Sequence, residues 1–129
     1  MPNVLNPVGL DASTLATSTL ASDSSVAAII AINVIHVSPP SVLAGLIAGA
    51  GTKLRKGGWL FFYGPFSRDG VIDGEGNNRF QKSLEALNPE FGLRDITAIK
   101  TAGEAYGLRL VEEVFLETSG NFILGLKKA

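Results

Sequence analysis

The chain has 129 residues, 46% of them apolar, and a formal net charge of −1. That length suits one domain with a sizeable core. Near-neutral, mixed charge excludes the clustered Lys and Arg of a nucleic-acid or anionic-membrane surface, and the absence of cysteine excludes disulfides, Cys-ligated zinc and thiol catalysis. The first residues lack a basic segment followed by a long apolar core, so no signal peptide is read there. No apolar run approaches the ~20 residues that span a bilayer. The expectation is a soluble cytoplasmic protein with no membrane or nucleic-acid partner.

Residues 4–10 read as a short strand broken by Pro7 and ended by Asp11. Residues 12–25, rich in Ala, Ser and Thr, read as a poor helix or a loop with a helical turn, or equally as a mobile surface loop. Residues 27–37 are apolar at nearly every position, as in a parallel strand covered on both faces. Asn33 and His36 are the only polar side chains within that run. Ser38-Pro39-Pro40 opens a helix, with Ser38 as the cap and proline in the first turn. Val42, Leu43, Leu46, Ile47, Ala50 and Leu54 repeat at helical spacing. Ala44, Gly45, Ala48, Gly49 and Gly51 keep this helix slim enough to lie close on a sheet. Lys53, Arg55 and Lys56 suit the negative end of its dipole, and Gly57-Gly58 supplies a left-handed stop.

Trp59 to Tyr63 is the second buried strand, followed by a long polar loop over 65–78. Asn77 or Asn78 caps a helix carrying Phe80, Leu84 and Leu87. After a turn over 88–92, Asp95 caps a helix through Ile96, Ile99, Ala102 and Tyr106 that ends at Gly107. Residues 108–116 and 121–126 are two further strands. The four-residue connection between them forces an antiparallel pair, because parallel strands need a crossover of about a dozen residues or more. The fold class is therefore α/β, mostly parallel, with a C-terminal antiparallel strand pair.

Strand ends in such sheets are where chemistry is placed. Asn33, His36 and Tyr63 stand there and are the candidate catalytic residues. His36, the only histidine, has a free pKa near neutrality and suits a general base; it equally suits packing at a strand end. Asn33 can serve a reacting group or satisfy local backbone. Tyr63 can bound a substrate pocket or finish the core. No second histidine is present to build a metal site.

Several blocks in order carry a family resemblance. They are Pro2-Asn3-Val4 with Leu10-Asp11, then Ile32-Asn33-Val34-Ile35-His36-Val37-Ser38-Pro39, then Gly45-Leu46-Ile47-Ala48-Gly49-Ala50-Gly51. Tyr63-Gly64-Pro65-Phe66, the spaced set Asn77, Phe80, Ser83 and Leu84, the run from Asn88 to Asp95, and Asn121 complete them. Together they resemble the methyltransferase-like proteins of the twenty-six type, predicted S-adenosylmethionine-dependent methyltransferases of which some carry only a domain-of-unknown-function label. The resemblance implies a Rossmann-like methyltransferase sheet, S-adenosylmethionine as cofactor and a small-molecule substrate. It implies an adenine contact at Asp11, which stands equally as a strand-end or cap residue, and a polar group beside the transferring methyl at Asn33. Tyr63, Asn77, Phe80, Arg94 and Asn121 fall on the substrate side.

Family members begin with a strand, a glycine-rich cofactor loop and a second strand ending in an acidic residue. This sequence resembles the part after both, the C-terminal two-thirds, and so a single domain truncated at its N-terminus and lacking the first two family strands. An incomplete cofactor site follows, as does an alternative role as a non-catalytic binding or assembly module. An incomplete product of a longer gene is a third reading. The strand at 27–37 would then become an exposed edge, covered either by the N-terminal segment or by a second copy in a homodimer.

Overall fold

A computed structural model describes residues 3–129; Met1, and Pro2 of the first resemblance block, lie outside them. Four strands form the main sheet in the order β1-β2-β6-β5, where β1 is Val26–Ile32, β2 Leu54–Gly64, β5 Leu108–Leu116 and β6 Asn121–Lys128. β1 pairs parallel with β2, whereas β6 runs antiparallel to both β2 and β5. Three of the four strands therefore point the same way and β6 alone runs against them. A two-stranded parallel sheet joins β3, Phe66–Ser67, to β4, Arg94–Asp95. The helices are α1 (Pro40–Lys53), α2 (Glu75–Leu87) and α3 (Ile96–Glu104), preceded by a short 3-10 helix over Ala12–Thr17.

The core is built on one face of the main sheet. Leu60 and Phe62 of β2, Leu124 and Leu126 of β6 and Ala31 of β1 are buried against Leu46, Ile47 and Ala50 of α1 and Ile96 and Ile99 of α3. Leu15 of the 3-10 helix closes the same cluster. Each apolar helical stripe thus lies on the alternate, apolar positions of the strands. At the end of α1, Lys53 is buried; its Nζ donates to the Ala21 carbonyl at 3.0 Å and pairs with Asp23 at 2.9 Å. The loop before β1 is pinned there, with Ser24 and Ser25 N–H groups donating to the Thr52 and Lys53 carbonyls.

Several boundaries depart from the sequence expectation. Residues 4–10 form no strand, and Leu5 is 89% exposed. Pro7 lacks a donor and no strand edge lies alongside to fix the segment. β1 stops at Ile32, because Asn33 takes a left-handed φ of 53°. Asn tolerates that conformation better than most residues, and it turns Asn33 and His36 out of the strand. Ser38 does not cap α1; its hydroxyl donates to the Val34 carbonyl, and Pro39 occupies the cap position. α1 ends at Lys53 and runs directly into β2, so Gly57-Gly58 lies inside a strand. Gly57 has a φ of +80°, and a Cβ on Gly58 would meet the Val26 and Ala27 carbonyls at 3.1 and 3.0 Å. That pair forms the irregular step by which the register passes from Val26–Leu54 to Ala28–Trp59. The cap of α2 is Gly74, not Asn77 or Asn78. Asp95 does cap α3, accepting from the Thr97 and Ala98 N–H groups.

The strand expected to be covered on both faces is the open edge of the sheet. Among the described residues β1 pairs only with β2, and Ile30 and Ile32 on it are 65% and 60% exposed.

Candidate functional site

The carboxyl ends of β1 and β2 meet at Gly64. The Asn33 N–H donates to the Tyr63 carbonyl at 2.9 Å, fixing the left-handed turn against β2. A Cβ on Gly64 would lie 3.2 Å from Asn33 Oδ1 and 3.5 Å from His36 Nδ1. Glycine is therefore what lets the amide and the imidazole converge at one point. The sequence named both side chains and placed Gly64 in the Tyr63–Phe66 block, but gave it no role at the site.

His36 is buried beneath Phe80 of α2, whose ring meets the imidazole edge-on at 5.6 Å. Its carbonyl accepts from the Gly92 N–H. Tyr63 points its hydroxyl to Asn121, which donates to it at 3.0 Å. Asn77 donates to the carbonyl of the neighbouring Gly120 at 3.0 Å. Asn33, His36, Tyr63, Phe80, Asn121 and Asn77 thus form one connected neighbourhood built from the turn after β1 and from β2, α2 and β6. Gln81, unremarked in the sequence, belongs to its support: its Oε1 accepts from the Leu93 N–H and holds the 88–93 turn beside His36.

Two expected site residues are occupied otherwise. Arg94 donates to the carbonyls of Ile35, Ser38 and Glu90 at 2.9, 2.8 and 2.8 Å. Its guanidinium is a clamp on the loop that carries His36, so it positions the site without reaching into it. Asp11 accepts from both the N–H and the hydroxyl of Ser13 at 3.0 and 2.6 Å and caps the 3-10 helix. Those bonds hold its carboxyl below the usual aspartate value. No described contact joins it to the neighbourhood of His36.

Burial of His36, reinforced by the Arg94 charge, lowers its pKa from 6.5. The fold thereby favours the neutral imidazole, which keeps a lone pair free near neutral pH. The unfolded chain binds the proton more readily between the folded value and 6.5, so stability rises with pH across that window. The stabilisation is complete above 6.5 and declines as the pH falls toward the folded value, where the loss levels off. Urea midpoints taken between about pH 5 and 7.5 are expected to show this slope, and His36→Gln is expected to flatten it. An unchanged slope in the variant assigns the effect to another group.

Asp95 links this region to the loop over 65–78. Burial works to raise its pKa, but hydrogen bonds from Gly70 N, Ser67 Oγ, Ala98 N and Thr97 N outweigh it and hold the carboxyl low. One carboxylate thus caps α3 and fastens the loop that follows β3.

The comparisons with known proteins agree with this architecture. A family model described as "Protein of unknown function (DUF938)" matches residues 1–127. A putative O-methyltransferase from Nostoc punctiforme superposes with a TM-score of 0.72 at 13% identity, over 88% of this chain and 34% of that one. Human N-acetylserotonin methyltransferase in complex with SAM superposes with a TM-score of 0.69 at 13% identity, over 89% of this chain and 32% of that one. The structure of TnmH gives 0.70 at 13% identity, over 95% and 34%. The chain spans about a third of the length of these structures. At such identities the likeness shows the fold, which is a methyltransferase-like α/β sheet. No helix among the described residues is long and apolar enough to cross a membrane.

Proposed function

We propose that this chain, which belongs to the DUF938 family, is the acceptor side of an S-adenosylmethionine-dependent methyltransferase of the methyltransferase-like twenty-six type. The observation that carries this reading is the convergence of Asn33 and His36 on Gly64, at the carboxyl ends of two parallel strands. S-adenosylmethionine is the cofactor class because the human structure of the same fold holds SAM. Tyr63, Asn77, Phe80 and Asn121 lie around a small-molecule acceptor in this reading. His36, kept neutral by burial, is the group that can accept a proton from it. Arg94 holds the His36 loop in place.

The cofactor half of the site is proposed to be incomplete in this chain. The α1 glycines are explained by packing, since a Cβ on Gly45 would strike Ser13 and one on Gly49 would strike Leu15. Gly70, Gly74 and Gly76 have nothing within 4 Å of an added Cβ. Asp11 is already engaged by Ser13. No methyl-transfer step is therefore assigned to these residues. Calorimetric titration with S-adenosylhomocysteine is expected to give no binding tighter than about 1 mM. Micromolar affinity would show that the chain completes the cofactor site after all.

One observation favours a second reading, a non-catalytic binding or assembly module on the same scaffold. The edge strand β1 carries no charge or proline, two devices that keep an edge from pairing.

A further inference from the structure

Phe80, the side chain set edge-on against His36, stands on the least anchored of the three α-helices. Of its 13 residues α2 buries only Leu84, whereas α3 buries Ile96, Ile99 and Gly103 and α1 buries more again. The stripe that α2 turns inward is Asn77, Gln81 and Leu84, at helical spacing, and two of the three are polar. Leu84 stands outside the cluster that α1 and α3 share with the sheet. Asn77 donates to the Gly120 carbonyl and Gln81 accepts from the Leu93 N–H. Among the described residues, these are the hydrogen bonds that tie α2 to a separate part of the chain. A segment with so little apolar burial opens more readily than the whole chain unfolds.

The chain on either side of it is fixed. Before it, Arg68 and Val71 exchange backbone hydrogen bonds, and Asp95 accepts from Ser67 and Gly70. After it, the Gly92 N–H donates to the His36 carbonyl, and Arg94 holds the Glu90 carbonyl. The start of α2 is loose by comparison. Gly74 takes a φ of +85° and supplies no side-chain cap, and an added Cβ at Gly74 or Gly76 would meet nothing within 4 Å. His36 itself is only 4% exposed, so a ligand needs an opening to reach its imidazole.

We infer that residues 72–87 form a lid over His36, latched by Phe80, that swings from the turn at 88–92 and is freed at its start by Gly74 and Gly76. When it lifts, the loop carrying His36 stays in place, because Arg94 holds that loop through the Ile35 and Ser38 carbonyls. The inference deepens the acceptor-side reading and rests on it for the use of the opening, which is to admit the small-molecule acceptor to His36.

His36 is the only histidine, so acylation of its imidazole by diethyl pyrocarbonate, followed by ultraviolet difference absorbance, measures access with no methyl transfer involved. Near neutral pH the native chain is expected to react roughly tenfold or more slowly than the chain in urea, and the α2 amides to exchange with solvent well before those of β2 and β6. Phe80→Ala is expected to raise the native rate roughly fivefold or more while the circular dichroism spectrum is retained. Asn77→Ala frees α2 from Gly120 and leaves Phe80 in place; it is expected to raise the rate too, and keeps the test sound if the first variant fails to fold. A native rate equal to that in urea overturns the inference, because nothing then covers the imidazole. A slow rate that neither variant raises overturns it as well, since the cover then lies elsewhere. Exchange of the α2 amides only together with those of β2 and β6 makes α2 part of the core and overturns it too. A lid that opens on a chain binding no acceptor upholds the inference and removes the acceptor-side reading instead.

Discussion

Replacing Arg94 by alanine is expected to lower the unfolding free energy by about 3–5 kcal/mol, measured as a shift in urea midpoint. The guanidinium donates to three backbone carbonyls, at Ile35, Ser38 and Glu90. Hydrogen bonds to a charged group contribute about 1.5–3 kcal/mol each, and removing the donor leaves its acceptors without partners. The sum is reduced because the Glu90 contact is solvent-exposed. Arg94→Lys is expected to recover only part of the loss, since an ammonium cannot reproduce a fork that reaches three carbonyls in fixed directions. Arg94→Ala has a second readout. Arg94 contributes to lowering the His36 pKa, so the variant's imidazole should titrate closer to 6.5. Near-wild-type stability with impaired ligand binding would instead return Arg94 to the substrate side.

The other large effect lies at the contact between α1 and the 3-10 helix. A Cβ on Gly45 would fall 2.3 Å from Ser13 Cα and 2.4 Å from the Ala12 carbonyl oxygen. Both are backbone atoms, so no side-chain rotation relieves the overlap. Gly45→Ala should gain about 1 kcal/mol in helix propensity, yet the net expectation is a loss of about 2–3 kcal/mol from overpacking. The displacement has a place as well as a size. The 3-10 helix should lift from α1, uncovering Leu15, and limited proteolysis should cut within residues 12–25 faster than in the native chain. A stabilised variant with unchanged cleavage would mean that the two segments are not in this contact in solution.

The legible parts of the chain were those whose signal is local. Asp95 before a periodic run announced a helix start, and its side chain does cap α3. The short connection at 117–120 announced an antiparallel pair, and β5 and β6 form it. Boundaries set by distant partners were not legible. The apolar run to Val37 hid the turn at Asn33, whose left-handed backbone is held by a bond to the Tyr63 carbonyl. Gly57-Gly58 looked like a helix stop because nothing local says that β2 must begin at Leu54 to meet β1. Within the candidate site, Asn33, His36 and Tyr63 were readable as polar groups near strand ends. The roles of Arg94 and Gln81 were not, because their acceptors and donors are backbone groups distant in sequence or in a separate turn.

By itself the amino-acid sequence determined the longer helices and strands from β1 onward and the kind of sheet, and it pointed to a methyltransferase-like fold. Periodicity, caps and turn lengths are written in neighbouring residues and need no partner to be expressed. The tertiary structure alone decided which face of each strand is covered and which polar groups meet. An apolar strand carries no mark of which side will be buried. Here pairing and helix placement buried Leu60 and Phe62 and left Ile30, Ile32 and the Trp59–Phe61 stack outside the core. Convergence at Gly64 likewise depends on two strand ends brought level by their register, a relation that no stretch of the sequence contains.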